Sequence, residues 1–332
     1  MITIRCFFLT FFVSATSLFG SAQSDAVGPK NSPDAIVAAD GSGQYKTVQE
    51  AINAAPQTTS LAKPWIIGVK SGVYPEVVYI QREKRFVHLV GEGAATTKIT
   101  AALAAKTIGA DGKPLGTFRT ATVQIDADDF TFEKITLENA AGPVGQALAV
   151  RIDGDRVTFR DCRFLGWQDT ILANRGRHYF KRCFISGATD FIFGGATAYF
   201  DECEIRCDGD GYITAASTPR EQAYGFVFSH CVISGSKPAL RTYLGRPWRD
   251  FGMTAFLNTE MSDVVRTEGW HNWGKPEREK TARYSEFGCT GAGALSDKRV
   301  SWAHPLSGKE AASLTPEIVL GGSDGWLPDA TH

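Results

Sequence analysis

Several things are scarce in this sequence, and each scarcity narrows the reading. Excess charge of either sign is missing: 35 Lys and Arg stand against 36 Asp and Glu, a formal net charge of −1. That balance gives no reason to expect nucleic acid or an anionic membrane as a partner. Disorder is excluded by a composition that is 43% hydrophobic and 21% charged, close to that of an ordinary soluble protein. Beyond the N-terminal run, no stretch is apolar enough to span a bilayer. No linker composition divides the chain, so 332 residues read as one domain although the length would allow two. Histidine is rare at six residues, and none sits in a Gly-His-Gly segment.

What is present begins at the N-terminus. Arg5 precedes the apolar run Cys6-Phe7-Phe8-Leu9-Thr10-Phe11-Phe12-Val13, and the small residues Gly20-Ser21-Ala22 follow. This is the pattern of a signal peptide over residues 1–22, cleaved after Ala22. The run is too short for a membrane anchor, and no Cys stands at the cleavage point to take a lipid. The expected layout is a signal peptide, a short linker over 23–35 and a single folded domain over 36–332. The mature protein is then exported, either secreted or periplasmic.

The middle of the chain repeats. Phe132, Phe159, Phe180, Phe200, Phe228 and Phe256 recur at intervals of 20 to 28 residues. In most copies a polar pair follows the Phe, then a small or apolar residue: Ile135, Cys162, Cys183, Cys203, Cys231 and Thr259. Period-two alternation marks strands with one buried face, and the polar pair lets the chain turn a corner. A repeat this short cannot bury its own apolar face, so coils must stack, with parallel pairing between them. The fold class is therefore all-β, a single-domain parallel β-helix with an internal aromatic ladder.

Cys162, Cys183, Cys203 and Cys231 form a second ladder, read first as small buried core residues. Rungs about 4.8 Å apart also bring a disulfide into range, with Cys183–Cys203 the best-placed pair. A column of inward cysteines lacks tetrahedral ligand placement, so no metal and no cofactor are expected. Upstream, Thr47-Val-Gln-Glu-Ala-Ile-Asn-Ala-Ala-Pro56 reads as a short helix with Thr47 as N-cap, Glu50 at N3 and Pro56 as terminator. Such a helix would cover the open end of the core. Residues 66–69 and 86–90 read as early strands, and residues 265–332 as loops and a tail packed along the solenoid.

Asp169 lies ten residues after Phe159, and Asp190 ten after Phe180. Taking Thr170 and Leu172 as inward-facing puts Asp169 outward; taking Phe191 and Phe193 as inward puts Asp190 outward on the same face. The two carboxylates then sit about one strand spacing apart. So close a pair cannot ionise freely at both members, which gives a site an acid and an anion at one pH. Asp210 falls ten after Phe200, but Asp208-Gly-Asp-Gly211 reads as a turn. This geometry alone also suits a retaining glycosidase.

Gln168-Asp-Thr170, Asp190-Phe-Ile-Phe-Gly194 and Leu244-Gly-Arg-Pro-Trp248 resemble signature segments of the pectin methylesterases, or pectinesterases. Gly145-Gln-Ala-Leu-Ala-Val150, Gly41-Ser-Gly with Thr47-Val-Gln-Glu-Ala-Ile52, and Gly72-Val-Tyr-Pro-Glu76 resemble further family segments, in the expected order. The resemblance covers roughly residues 36–305. It implies a right-handed β-helix that hydrolyses the methyl esters of pectin. Asp190 would be the nucleophile, and Asp169 the acid that protonates methanol and then the base that activates water. Gln146 and Gln168 would donate to the oxyanion. Arg246 would hold Asp190 ionised, and Trp248 would stack on a sugar ring. The implied substrate-binding set is Trp248, Arg246, Gln146 and Thr120. Tyr74 and Phe193 either border the groove or pack. Pectin is the implied partner of a monomer.

The sequence departs from the family at Trp167, where Tyr is common, and at Gly195, where a polar residue is common. Between Ala22 and Ile36 there is room only for a short linker, not for the inhibitory pro-region of some plant members. Three rivals remain: a glycosidase on the same scaffold, an esterase or thioesterase with another substrate, and a non-catalytic β-helix adhesin. The last has no need of Gln146, Gln168, Asp169, Asp190 and Arg246 together.

Overall fold

In the computed structural model, which describes Met1 and residues 32–328, the repeated Phe segments are parallel strands stacked in register. The expected signal peptide and its cleavage point lie outside the described residues. Eleven strands, from Ala35–Val37 to His304–Pro305, follow one another in chain order across the first sheet. The six ladder Phe residues are register partners from each strand to the next. Their rings stack with centroids 5.2, 4.9, 4.5, 4.4 and 4.5 Å apart, and all are fully buried. The remaining strands form two further parallel stacks. Two long strands, Phe184–Gly194 and Glu204–Ala216, run round the corner between those stacks and join them into one 13-stranded sheet.

The polar pairs do turn the corners, by a device that alternation cannot reveal. The second member of each pair adopts left-handed backbone: Lys134, Asp161, Arg182, Glu202, His230 and Asn258 have φ between 48° and 55°. A single non-glycine residue there costs roughly 1–2 kcal/mol, so the stacked core must offset that cost at every coil. The ladder runs on past its recognisable Phe copies. Ala35, Ile67 and Leu89 continue the row toward the N-terminus. Beyond Phe256 the row position is Glu286. Its carboxylate accepts from Arg299 at 2.8 and 2.9 Å and from the Trp270 indole at 3.2 Å, which makes a charged end to an apolar column tolerable.

The expected helix spans Val48–Ala54, with the Thr47 and Glu50 capping box complete. It buries Val48, Ala51 and Ile52 and packs against the strands Ala35–Val37, Trp65–Val69 and Val78–Ile80. The early strands lie at Trp65–Val69 and Val87–Gly91. The cysteine ladder is buried, but all six described cysteines are free thiols, so the Cys183–Cys203 bridge is not formed. Strands paired in register hold facing side chains near the strand spacing of about 4.8 Å, beyond the usual disulfide Cβ separation of about 3.8 Å. The thiols instead point at backbone carbonyls, Cys203 Sγ lying 3.4 Å from Phe180 O.

The C-terminal region holds more structure than its composition promised. Arg283–Phe287 is a full strand of the first sheet. Two short helices, Gly308–Ala311 and Pro316–Leu320, follow it. Leu314, Val319 and Leu320 pack on the outward side chains of that sheet, among them Tyr179, Tyr199, Val227 and Ala255. The tail is thus a strap over an apolar outer face.

Candidate active site

Asp169 and Asp190 sit at one register of neighbouring coils. Gln168 bridges to Thr189, and Ile171 and Leu172 pair with Ile192 and Phe193, always 21 residues on (189 − 168, 192 − 171). The same offset joins 169 to 190, and the Asp169 amide donates to Thr189 O at 3.1 Å. The conclusion drawn from the sequence holds, but its route was partly wrong. Neither Leu172 nor Phe193 faces the core. Ile171 and Ala173 do, while Leu172 joins Phe193, Ala121, Leu148 and Ala215 in a separate outer cluster. Both aspartates are left-handed, with φ 64° and 49°, and such a residue resets the pleat so that simple alternation cannot be carried through it.

That outer cluster floors a cleft of about 370 Å³. Gln146, Gln168, Asp169, Asp190, Arg246 and Trp248 all line it, as does Phe193. Gln146 and Gln168 are bridge partners on successive coils, so their amides stand one rung apart. Asp169 and Asp190 are 7% and 6% exposed, buried enough for charge to be expensive. Arg246 grips Asp190 through two parallel bonds, Nε to Oδ1 at 2.9 Å and Nη2 to Oδ2 at 2.6 Å. Burial pushes the Asp190 carboxyl up, and the hydrogen bonds and charge of Arg246 oppose that push. Asp169 has no such bond. Burial and then the neighbouring Asp190 charge raise it to about 8, against a weaker pull from Arg246. At neutral pH the cleft therefore holds one proton-bearing carboxyl beside one arginine-paired carboxyl.

Two of the sequence candidates fall elsewhere. Thr120 is fully buried. Its hydroxyl donates to Thr117 O at 2.7 Å and accepts from the Leu148 amide at 3.0 Å, which makes it scaffold beneath the cleft rather than a ligand contact. Tyr74 is core, its hydroxyl donating to Lys70 O at 2.8 Å. Trp248 stands edge-on to Phe193 with centroids 5.7 Å apart and is only partly buried, leaving part of its surface open. The structure adds Thr117, Phe118, Ala215 and Trp273 to the lining. It also places Tyr212 against Arg246, the guanidinium carbon lying 3.8 Å from the ring centroid. Tyr212 was hidden because Asp208-Gly-Asp-Gly211 read as a turn. That segment is instead part of the strand Glu204–Ala216, and Asp210 caps the Arg241 amide at 2.7 Å. Among the described residues no group of three or more His, Cys, Asp or Glu is placed to hold a metal ion.

Fold and cleft together define a class, a right-handed parallel β-helix enzyme with a carboxylate pair on its outer wall. A pectinesterase family model matches residues 34–323. Pectinesterase 31 of Arabidopsis thaliana is 40% identical over 286 residues, covering 83% of this chain and 88% of the relative. Pectin methylesterase from carrot superposes with a TM-score of 0.84 at 33% identity, over 92% of this chain and 97% of the other. A pectin methylesterase in complex with a hexasaccharide superposes with a TM-score of 0.77 at 31% identity, over 90% and 100%. The chain belongs to the pectinesterase family and is a carboxylic ester hydrolase.

Proposed function

We propose that the chain hydrolyses the methyl esters of pectin through an acyl-enzyme on Asp190, with Asp169 serving first as acid and then as base. The observation that carries this is the asymmetry of the pair: Asp190 bound twice by Arg246, Asp169 unbound and raised to about 8. An Asp190 oxygen attacks the ester carbonyl carbon. The charge that develops on the carbonyl oxygen falls to the Gln146 and Gln168 amides, neutral donors that act mainly in the transition state. As the tetrahedral species collapses, Asp169 gives its proton to the departing methoxide, and methanol leaves. Asp169, now anionic, takes a proton from water. The hydroxide attacks the acyl carbon, frees Asp190 as its carboxylate and leaves the galacturonic acid, which releases its proton to solvent. Trp248 offers a face for a sugar ring.

The substrate reading rests on the family and on the hexasaccharide complex of a structural relative. Methanol and new reducing ends are counted in one tube with highly methylated pectin. Methanol without reducing ends is the expected outcome; reducing ends without methanol would mean a glycosidase. The enzyme is further proposed to act as an exported monomer. Residues 1–22 would serve as its signal, which N-terminal sequencing of the mature protein tests, as sedimentation tests the monomer. Among the described residues no helix is long and apolar enough to cross a membrane.

A further inference from the structure

The geometry points to Tyr212 as a positioning residue for the reaction: with Trp273 it clamps both faces of the Arg246 guanidinium, and a column of stacked groups from later coils holds it there. The inference rests on the functional reading above. The guanidinium carbon lies 3.8 Å from the Tyr212 centroid and 3.7 Å from that of Trp273. Guanidinium stacks on aromatic faces because it is planar and weakly hydrated. With both faces covered, only its edge is left for hydrogen bonds, and that edge meets Asp190 at 2.9 and 2.6 Å.

The plate itself is backed. Tyr212 and Tyr243 are register partners on adjacent coils, and their rings stack at 5.3 Å and 12°. Arg266 lies 5.0 Å from the Tyr243 centroid. His271 packs against both tyrosines, its ring centroid 5.6 and 5.3 Å from theirs. The column thus reads Arg246, Tyr212, Tyr243, Arg266, with His271 at its side. Tyr212 is not among the residues lining the cleft, so it acts through Arg246 rather than on substrate. Two in-plane bonds to a carboxylate need the guanidinium plane fixed, and a swinging guanidinium would leave Asp190 with burial unopposed.

The charged and titratable groups around Asp190 are Asp169, Arg246 and, within the core, Tyr284, which burial keeps neutral; His271 faces Arg246. The test compares Tyr212→Leu and Tyr212→Phe with the wild type, reading kcat and KM for methanol release across pH and, separately, the Asp190 carboxyl titration by carbon NMR. Tyr212→Leu is expected to lower kcat roughly tenfold, the worth of one partly desolvated cation–π contact. KM should stay unchanged, and the acid limb and the Asp190 titration should move to higher pH. Tyr212→Phe keeps the face and should restore all three. Tyr243→Leu, one rung out, should give a smaller shift of the same sign, and it serves if Tyr212→Leu does not fold. A folded Tyr212→Leu with a wild-type Asp190 titration overturns the clamp, as does an effect confined to KM. Absence of methanol from the wild type would strike the functional reading, while the NMR titration would still decide the clamp.

Discussion

At the scale of single residues, the cleft is a problem in proton placement. The proposed first step needs Asp190 ionised and Asp169 protonated. Since burial and the Asp190 charge hold Asp169 near 8, kcat/KM should fall above about pH 8. Its rise on the acid side should follow Asp190. Asp190→Asn should abolish turnover with the fold intact; wild-type activity in that variant would remove Asp190 from the mechanism. Asp169 also has a cost. Its folded-state value lies above the ordinary 3.8, so the folded chain keeps a proton that the unfolded chain releases. Stability therefore declines as pH rises from about 3.8 to about 8. Asp169→Asn should accordingly melt higher than the wild type at pH 8 and match it at pH 4, while losing activity. Equal melting differences at the two pH values would discard the burial account.

Much of this residue-scale picture was legible because Asp169 and Asp190 stand at equal distances from ladder rungs. Equal spacing survives whatever the backbone does between. The direction of Leu172 was not legible, since nothing in Asp169-Thr170-Ile171-Leu172 announces the left-handed aspartate that resets the pleat. Trp273 and Tyr212 were illegible for another reason: they reach Arg246 from the coils on either side of it, Tyr212 out of a segment that reads as a turn, and neither belongs to the repeated Phe segment.

At the scale of elements, the ladder carries the fold. Phe180 stacks between Phe159 and Phe200 and is fully buried. Phe180→Ala should destabilise by roughly 3–5 kcal/mol, read as a lowered denaturation midpoint; an unchanged midpoint would refute the ladder as a source of stability. Six Phe copies were enough to read this sheet, but Leu89 and Glu286 occupy the same row without resembling Phe. A row position is defined by its strand neighbours, and identity at its ends is free to change where the column must be closed. The helix Val48–Ala54 was legible because a capping box is a local device whose signal needs no tertiary partner.

At the scale of the whole molecule, the strap joins distant parts of the chain. Arg177 bonds Asp155 at 2.6 Å and Asp324 at 2.9 Å, tying a strand of the central coils to the chain's last described turn. Arg177→Leu should speed amide exchange in the helix Pro316–Leu320 while leaving methanol release near wild type. High salt should partly mimic it, since Asp324 is half exposed and its charge is screened. Unchanged exchange would mean that Leu314, Val319 and Leu320 hold the strap alone. The residues beyond 265 read as loops and a packed tail, without the strand and helices, because Leu314, Val319 and Leu320 are spaced to meet the outer face of the first sheet, not each other.

The in-register stacking also fixes which changes of length this chain can survive. Insertions in the turn-rich stretch at 104–119 leave every rung where it is. A whole extra coil adds one rung and lengthens the solenoid by a strand spacing of about 4.8 Å. One residue added between Phe159 and Asp169, or between Phe180 and Asp190, does neither. It slides a single carboxylate past its partner and separates the pair, and it also pushes at the buried row of Phe164 and Ile185. Drift in the length of such a protein is therefore quantised: free in the 104–119 loop, permitted by the coil, and forbidden by the residue on the ten-step path from rung to aspartate.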